Sequence, residues 1–347
     1  MENLFNELVT NAFNLRLING AVFLSKRDDG YNYLLYSDYS HISNPTPFAP
    51  IMKINGGKVI SAITKENETD KKFLFLMKPC EIRAAVELKK LNQVDLKNSL
   101  LVSYTCGGVF EFKEANSFTE HDKFKEDFVS GNLNPNIREI CKTCVNFCGE
   151  GADIVFDFFN KEVVGLTETG KEFLTKAGME FKENLGKNEY RVKIEKQRSE
   201  NRKKLMKEKK KFFKSEDKII EYFDKCIGCR ACRESCPLCY CRQCYFDSDT
   251  FKYYPDSIEK KLDAKHGIRL PMDRIIFHLG RVSHMALSCV NCGMCEDVCP
   301  VGIEVSGFFT YMGNNIQQTF DYVPGINREE PLPLLTFKEE EFHEVED

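Results

Sequence analysis

The chain has 347 residues, of which 42% are apolar and 29% charged, and its formal net charge at pH 7 is -4. A chain of this length has room for two domains that each bury a core, and its charge argues against general affinity for nucleic acid. The N-terminal residues carry acids and amides where a signal peptide has a basic start, and no window reaches eighteen consecutive apolar residues. We therefore expect a cytoplasmic protein that is peripheral to a membrane at most.

The N-terminal part alternates helical and strand patterns. Apolar residues recur at helical spacing in NLFNELVTNAFNL, and GAVFLS and YNYLLYS are typical of strands. The segments KKFLFLM, PCEIRAAVELKKLNQ and SLLVSYTC then predict a βαβ unit whose turn lies at Pro79 and Cys80. Two more strands and a covering helix are predicted by GADIVFDFF, EVVGLT and TGKEFLTKAGM. We therefore predict an α/β (α+β) domain over residues 1–186.

A basic segment follows this domain. Residues 187–214 hold thirteen Lys or Arg against four Glu, with no Gly or Pro to interrupt a helix. This pattern is typical of a solvated linking helix, and the alternative is a docking surface for an acidic partner. The composition then changes, since eleven of the sixteen cysteines lie between Cys226 and Cys299. We place a boundary near residue 215, a second module over 215–325 and an acidic tail over 326–347.

One motif occurs twice, with the copies 63 residues apart. Both follow C-x2-C-x2-C-x3-C-P. The copies consist of Cys226, Cys229, Cys232, Cys236 and Pro237, and of Cys289, Cys292, Cys295, Cys299 and Pro300. In a reducing cytoplasm such cysteines are thiolates that bind metal or carry out redox chemistry rather than disulfides.

The spacing of this motif predicts a pair of 4Fe-4S clusters. Three cysteines two residues apart bind three corners of a cluster, while the fourth, before a proline, binds the other cluster. Cluster 1 is therefore predicted to bind Cys226, Cys229, Cys232 and Cys299, and cluster 2 to bind Cys289, Cys292, Cys295 and Cys236. Structural zinc favours two CxxC pairs for each four ligands and does not account for the repeated triplet. We predict a dicluster ferredoxin-like module that transfers single electrons.

The remaining cysteines form two candidate sets. Cys80, Cys106, Cys141 and Cys144 suffice for a third 4Fe-4S cluster. The alternatives are plain buried thiols, or a thioredoxin-like redox pair at Cys141 and Cys144. The second set, a candidate fourth site for a cluster or zinc, comprises Cys239, Cys241, Cys244 and Cys148. Its alternative is a group of reduced thiols packed around the clusters.

Signals for nucleotide binding are weak. The sequence has neither G-x-G-x-x-G nor G-x-x-x-x-G-K-[ST]. Only INGGK, residues 54–58, and CGGV offer backbone that could approach a phosphate, and turns are the simpler interpretation of both. We predict that His284 is a packing or surface histidine rather than a ligand.

A family resemblance extends over most of residues 1–325. It is carried, in chain order, by MKPCEIRAAVELKKLNQVDL, SYTCGG, CKTC, CIGCRACRESCPLCYCRQC, LSCVNCGMCEDVCPVGI and YVPGI. The sequence resembles the beta subunit family of methanogen-type formate dehydrogenases and deazaflavin-coenzyme-reducing hydrogenases. The resemblance implies a flavin-binding α/β domain, for which FAD is the candidate cofactor, with its own 4Fe-4S cluster and an appended dicluster module. At the matching positions it implies that Cys80, Cys106, Cys141 and Cys144 bind the third cluster.

The predicted function is electron transfer within a cytoplasmic redox complex. Electrons would pass from a catalytic subunit of the formate dehydrogenase or hydrogenase type to a flavin, a heterodisulfide-reductase-type protein or a ferredoxin. The alternative is a stand-alone flavin-dependent oxidoreductase of a deazaflavin or nicotinamide coenzyme. A zinc-organised scaffold without redox chemistry is the third class.

Overall fold

A six-stranded mixed sheet organises the N-terminal part of the chain. The computed structural model describes residues 1–336 except 29, 66–69 and 116–120. The strands are β1 (Gly20–Arg27), β2 (Gly30–Tyr36), β3 (Phe73–Leu76), β4 (Ser99–Tyr104), β5 (Ile154–Asp157) and β6 (Glu162–Gly165). They lie in the order β2-β1-β3-β4-β5-β6, with β1, β3, β4 and β5 parallel and the two edge strands antiparallel. The six predicted strands are confirmed.

Thirteen α-helices are present in the described part of the chain. The N-terminal ones are α1 (Glu2–Asn14), α2 (Gly56–Thr64), α3 (Pro79–Lys90), α4 (Phe112–Ala115), α5 (His121–Val129) and α6 (Glu168–Lys176). The others are α7 (Glu189–Phe212), α8 (Glu216–Tyr222), α9 (Ala231–Ser235), α10 (Pro255–Lys265), α11 (Arg274–Met285), α12 (Met294–Asp297) and α13 (Val305–Thr319). None of the described helices is both long and apolar enough to cross a membrane.

The sheet is buried on both faces, which explains why its strands are nearly continuous apolar runs. One face packs against α1 and α6 through residues such as Phe5 and Leu174. The other face packs against α2 and α3, and the same apolar cluster continues into the C-terminal part through Phe223 and Phe308. The two parts of the chain therefore share one core and are not joined only by a linker.

The basic segment forms the predicted helix, α7, but only part of its surface is solvated. Ile194, Arg198 and Lys209 are buried, and the helix packs against α13 and against a 3-10 turn at Glu139–Thr143. Ile194 contacts Phe128 and Phe147 in an apolar cluster of the N-terminal part. The predicted helix therefore has a buried face as well as the solvated surface that its basic composition predicts.

The chain returns to the N-terminal part after α13. Glu87 in α3 accepts hydrogen bonds from the Tyr322 hydroxyl at 2.5 Å and from the Gly325 amide at 2.8 Å. Arg83 Nε donates to the carbonyl of Pro324 at 2.7 Å. Because an added Cβ at Gly325 would overlap the backbone of Arg83, only glycine permits this approach. Within the predicted tail, Glu329 pairs with Lys89 of α3 at 3.1 Å and Arg328 donates to the carbonyl of Gly151 at 2.9 Å. The described start of the predicted tail is therefore docked on the N-terminal part, while residues 337–347 lie outside the described residues.

Candidate iron-sulfur centres

The two copies of the cysteine motif fold in the same way. Each runs through a loop that twice adopts a left-handed backbone, at Gly228 and Arg230 in the first copy and at Asn291 and Gly293 in the second. Each then enters a short helix, α9 or α12, and these two helices pack together. In each copy the left-handed residues lie between successive cysteines of the motif. The sequence repeat is therefore also a structural repeat.

The first quartet consists of Cys226, Cys229, Cys232 and Cys299. The thiols of Cys226 and Cys232 each interact electrostatically with those of Cys229 and Cys299. Burial raises the pKa of Cys232 to about 11. The Ile303 amide donates to the sulfur of Cys299 at 3.3 Å. The structure therefore brings the last cysteine of the second copy to the first copy.

The second quartet consists of Cys289, Cys292, Cys295 and Cys236. Cys236 interacts electrostatically with each of the other three thiols. Burial raises the pKa of Cys289 to about 11 and that of Cys292 to about 12. Such thiols are protonated at neutral pH and have to release protons when they bind iron. The two quartets thus exchange their fourth cysteines.

The third quartet lies at the ends of sheet elements. Cys80 is the second residue of α3, and Cys106 follows β4. Cys141 lies within the 3-10 turn at Glu139–Thr143, and Cys144 follows it directly. Cys80 interacts electrostatically with Cys106 and Cys144, and Cys141 does so with Cys106 and Cys144. Cys80 also interacts with Cys292 of the second quartet. The structure therefore places the third quartet beside the second.

Buried cations surround these thiols, and sequence reasoning missed them. Arg198 of α7 donates to the carbonyl oxygens of Cys106 at 3.1 Å and Gly107 at 2.9 Å. Arg138 donates to the carbonyl of Cys292 at 3.2 Å and forms a buried ion pair with Asp297. A single arginine carries no motif, so the sequence offered no signal for Arg138. For Arg198 the signal was its place at helical spacing from the apolar Ile194.

A further buried ion pair is formed by residues on either side of Cys80 in the chain. The Lys78 ammonium lies 3.8 Å from the Glu81 carboxylate, and both side chains are almost completely buried. Glu81 also accepts hydrogen bonds from the Tyr33 hydroxyl at 2.6 Å and the Gly56 amide at 2.8 Å. Burial raises the pKa of the neighbouring Cys106 thiol. The positive charge of Lys78 lowers this pKa, but by less. This network ties the start of α3 to β2 and α2.

The four cysteines of the candidate fourth site are not brought together. Cys239 lies beside Cys236 and contacts Met285, whereas Cys241 is exposed. Cys148 packs in a separate apolar cluster with Phe128 and Phe147, beneath α7. Within the described ranges no three His, Cys, Asp or Glu side chains converge on a point that a single metal ion could occupy. We therefore do not retain Cys148 as a partner of Cys239, Cys241 and Cys244.

Alkylation tests the remaining role of Cys241. We expect iodoacetamide to modify Cys241 in the native protein, because this thiol is exposed and belongs to no quartet. Cys229 is the matched control, since it is equally exposed but belongs to the first quartet, so it should react only after iron is chelated. Peptide mass spectrometry measures both. Protection of Cys241 that ends when metal is removed would instead show that Cys241 binds metal.

The two glycine-rich segments do not fit a nucleotide phosphate. INGGK is not the predicted turn, because Gly56 and Gly57 begin α2. The Gly56 amide donates to Glu81, and the Gly57 amide donates to the Asn55 side chain at 2.9 Å. Both glycines allow close packing against Met77, Glu81 and Ala84. In CGGV, Gly107 packs against Phe124 and Phe128 in the same way.

The histidine prediction is confirmed, but another histidine lies at the site. His284 is exposed on α11, as predicted for a surface residue. His278, one turn and a half earlier, is buried and stacks on Phe223 with a centroid distance of 3.9 Å. Its Nε2 lies 3.5 Å from the sulfur of Cys226, and burial lowers the pKa of His278 to about 3. His278 is therefore neutral beside the first quartet.

An α/β domain that shares its core with two interlocked cysteine loops defines an iron-sulfur protein of the electron-transfer class. Residues 221–303 match the family model of the 4Fe-4S dicluster domain, which implies at least two 4Fe-4S clusters. The F420-dependent formate dehydrogenase subunit beta of Methanocaldococcus jannaschii is 28% identical over 93% of this chain and 91% of its own length. The F420-dependent formate dehydrogenase 1 subunit beta of Methanococcus maripaludis is 30% identical over 78% of each chain. The chain belongs to the F420-dependent formate dehydrogenase beta subunit family, which confirms the resemblance.

A solved structure is also similar. It is a chain of the F420-reducing [NiFe] hydrogenase complex from Methanosarcina barkeri, with 16% sequence identity and a TM-score of 0.42. The match covers 60% of this chain and 85% of that one.

Proposed function

We propose that this chain is the electron-relay subunit of a redox complex whose catalytic subunit is of the formate dehydrogenase or hydrogenase type. The observation that carries this proposal is that Cys80 and Cys141 of the third quartet and Cys292 of the second pack against the same small apolar cluster. The second and first quartets are already joined by their exchanged cysteines, Cys236 and Cys299. The three candidate sites therefore form a continuous series through the molecule.

The chain's own residues give this series two different ends. At one end Cys106 and Cys141 are enclosed beneath Arg198 and Arg138. At the other end Cys229 is exposed, so the first quartet is the one that a partner can approach. Bound 4Fe-4S clusters supply single-electron transfer at potentials set by burial, charge and hydrogen bonds to sulfur. A heterodisulfide-reductase-type protein or a ferredoxin is the acceptor or donor that we propose at this exposed end.

Iron analysis tests the proposal directly. We expect about 12 iron and 12 acid-labile sulfide per chain in protein purified without oxygen, because three quartets hold three 4Fe-4S clusters. The Cys80→Ala and Cys141→Ala variants should each retain about 8. Fewer than about 8 iron in the unmodified protein would contradict the relay. About 16 iron, or one zinc beside 12 iron, would instead identify a further metal site at Cys239, Cys241 and Cys244.

The two glycine-rich segments do not support the alternative of a stand-alone flavin enzyme. The Gly56 and Gly57 amides already donate to protein oxygens, and Gly107 packs against aromatic rings. It predicts a yellow protein whose flavin absorbance bleaches on addition of a reduced deazaflavin or nicotinamide coenzyme alone. We expect no such bleaching in the isolated chain. Copurification of the chain with its native partners under anaerobic conditions identifies the catalytic subunit.

A further inference from the structure

The guanidinium of Arg281 lies inside the dicluster domain and is 2% exposed. Its Nη1 donates to the sulfur of Cys232 at 3.2 Å, and its Nη2 donates to the carbonyl oxygen of the same residue at 3.1 Å. The rings of Phe309 and Phe277 cover it, with centroids 4.7 Å and 5.6 Å from the guanidinium carbon. These contacts hold the positive charge at one place beside a proposed iron ligand.

In the described part of the chain no carboxylate compensates this charge. Among the ion pairs that the structure describes in residues 1–336, none includes Arg281. By contrast, Arg274, which lies on α11 with Arg281, pairs with Asp224, and the buried Arg138 pairs with Asp297. A buried cation without a counter-charge is strongly destabilising. The anions that compensate Arg281 must therefore come from the surrounding sulfur ligands.

The thiols around Arg281 belong to both quartets of the dicluster domain. Its electrostatic partners are Cys232 of the first quartet, Cys236 and Cys295 of the second, and the unassigned Cys239. The guanidinium of an arginine stays protonated at every physiological pH. One fixed positive charge therefore stands between two sites that each gain negative charge on reduction.

We propose that Arg281 is the charge-compensating residue shared by the two clusters and that it raises the midpoint potential of both. The inference rests on the proposed function, since it requires iron-sulfur clusters at both quartets. Reduction adds one electron to a cluster, and a neighbouring cation stabilises this added charge. The effect is larger at the first quartet because Arg281 donates directly to Cys232. Because one cation faces both sites, their potentials move in the same direction.

Two substitutions separate the charge from the hydrogen bonds. Arg281→Gln keeps an N–H donor but removes the charge, and Arg281→Lys keeps the charge but not the paired donors. In Arg281→Gln we expect the equilibrium constant for reduction of the first cluster to fall at least tenfold, which is about 59 mV for one electron. The second cluster should shift less and the third not at all. Arg281→Lys should shift the first cluster less than Arg281→Gln does.

The measurement is an anaerobic redox titration followed by electron paramagnetic resonance, with signals assigned through Cys226→Ala and Cys289→Ala. Ser283→Ala, exposed on the same helix, is the control and should change no potential. Unchanged potentials in an Arg281→Gln protein that retains about 12 iron would overturn the proposal, as would equal shifts at all three clusters. If Arg281→Gln loses iron, Arg281→Met decides, because it also removes the charge and its apolar side chain suits the rings of Phe277 and Phe309: a lowered first potential supports the proposal and an unchanged one overturns it. A low iron count in the unmodified protein would instead contradict the proposed function.

Discussion

The Cys299→Ala variant is expected to lose the cluster of the first motif copy, although Cys299 belongs to the second copy. The physical reason is that the thiol of Cys299 interacts electrostatically with the thiols of Cys226 and Cys232 in the first copy. A cluster deprived of one of its four thiolates is not retained, so iron should fall from about 12 to about 8 per chain. Iron and acid-labile sulfide analysis measures this loss.

Double substitutions show which cluster is lost. Cys226→Ala combined with Cys299→Ala should leave about 8 iron, because both cysteines serve one cluster. Cys289→Ala combined with Cys299→Ala is the matched comparison and should leave about 4, because two clusters each lose a ligand. If each motif copy instead bound its own cluster, the two double variants would give the opposite iron counts. The comparison needs no spectroscopic assignment.

The Arg138→Met variant is expected to lower the free energy of unfolding by about 3–5 kcal/mol, because it leaves a buried carboxylate without its partner. Arg138 and Asp297 are each 4% exposed and join the N-terminal part to α12. The Asp297 carboxylate also accepts the Phe112 amide at 2.8 Å, which does not replace a cation. Guanidinium unfolding monitored by circular dichroism under anaerobic conditions measures the change.

Two further variants test the cause of this loss. Arg138→Met combined with Asp297→Leu removes both charges and should restore much of the lost stability, since an apolar pair tolerates burial. Lys171→Met breaks the exposed ion pair with Glu168 and should leave the free energy of unfolding almost unchanged, because exposed ion pairs contribute little. A double variant no more stable than Arg138→Met would show that the lost stability does not come from the unpaired carboxylate.

The sheet could be predicted well because its strands are buried on both faces. Such strands are short apolar runs between turns, and this local pattern is visible in KKFLFLM and SLLVSYTC. Helix α2 was missed for a physical reason. Its first turn contains Gly56 and Gly57, which normally disfavour a helix. Close packing of α2 on α3 and the hydrogen bonds of both amides stabilise them there.

Spacing alone predicted the two quartets of the dicluster domain, since short loops around a cluster constrain the chain locally. The third quartet was predicted from cysteines at the ends of neighbouring elements and from the family resemblance. The sequence by itself thus determined the α/β domain, the repeated motif and the family. Only the tertiary structure decided where the charges lie. Arg281, Arg138 and Arg198 reach the cysteines from helices and turns distant in sequence, and burial gives each charge its effect. Contacts of that kind leave no periodicity or spacing for a sequence to display, whereas the motif spacing alone separates the seven cysteines of residues 226–244 into four predicted ligands and three others.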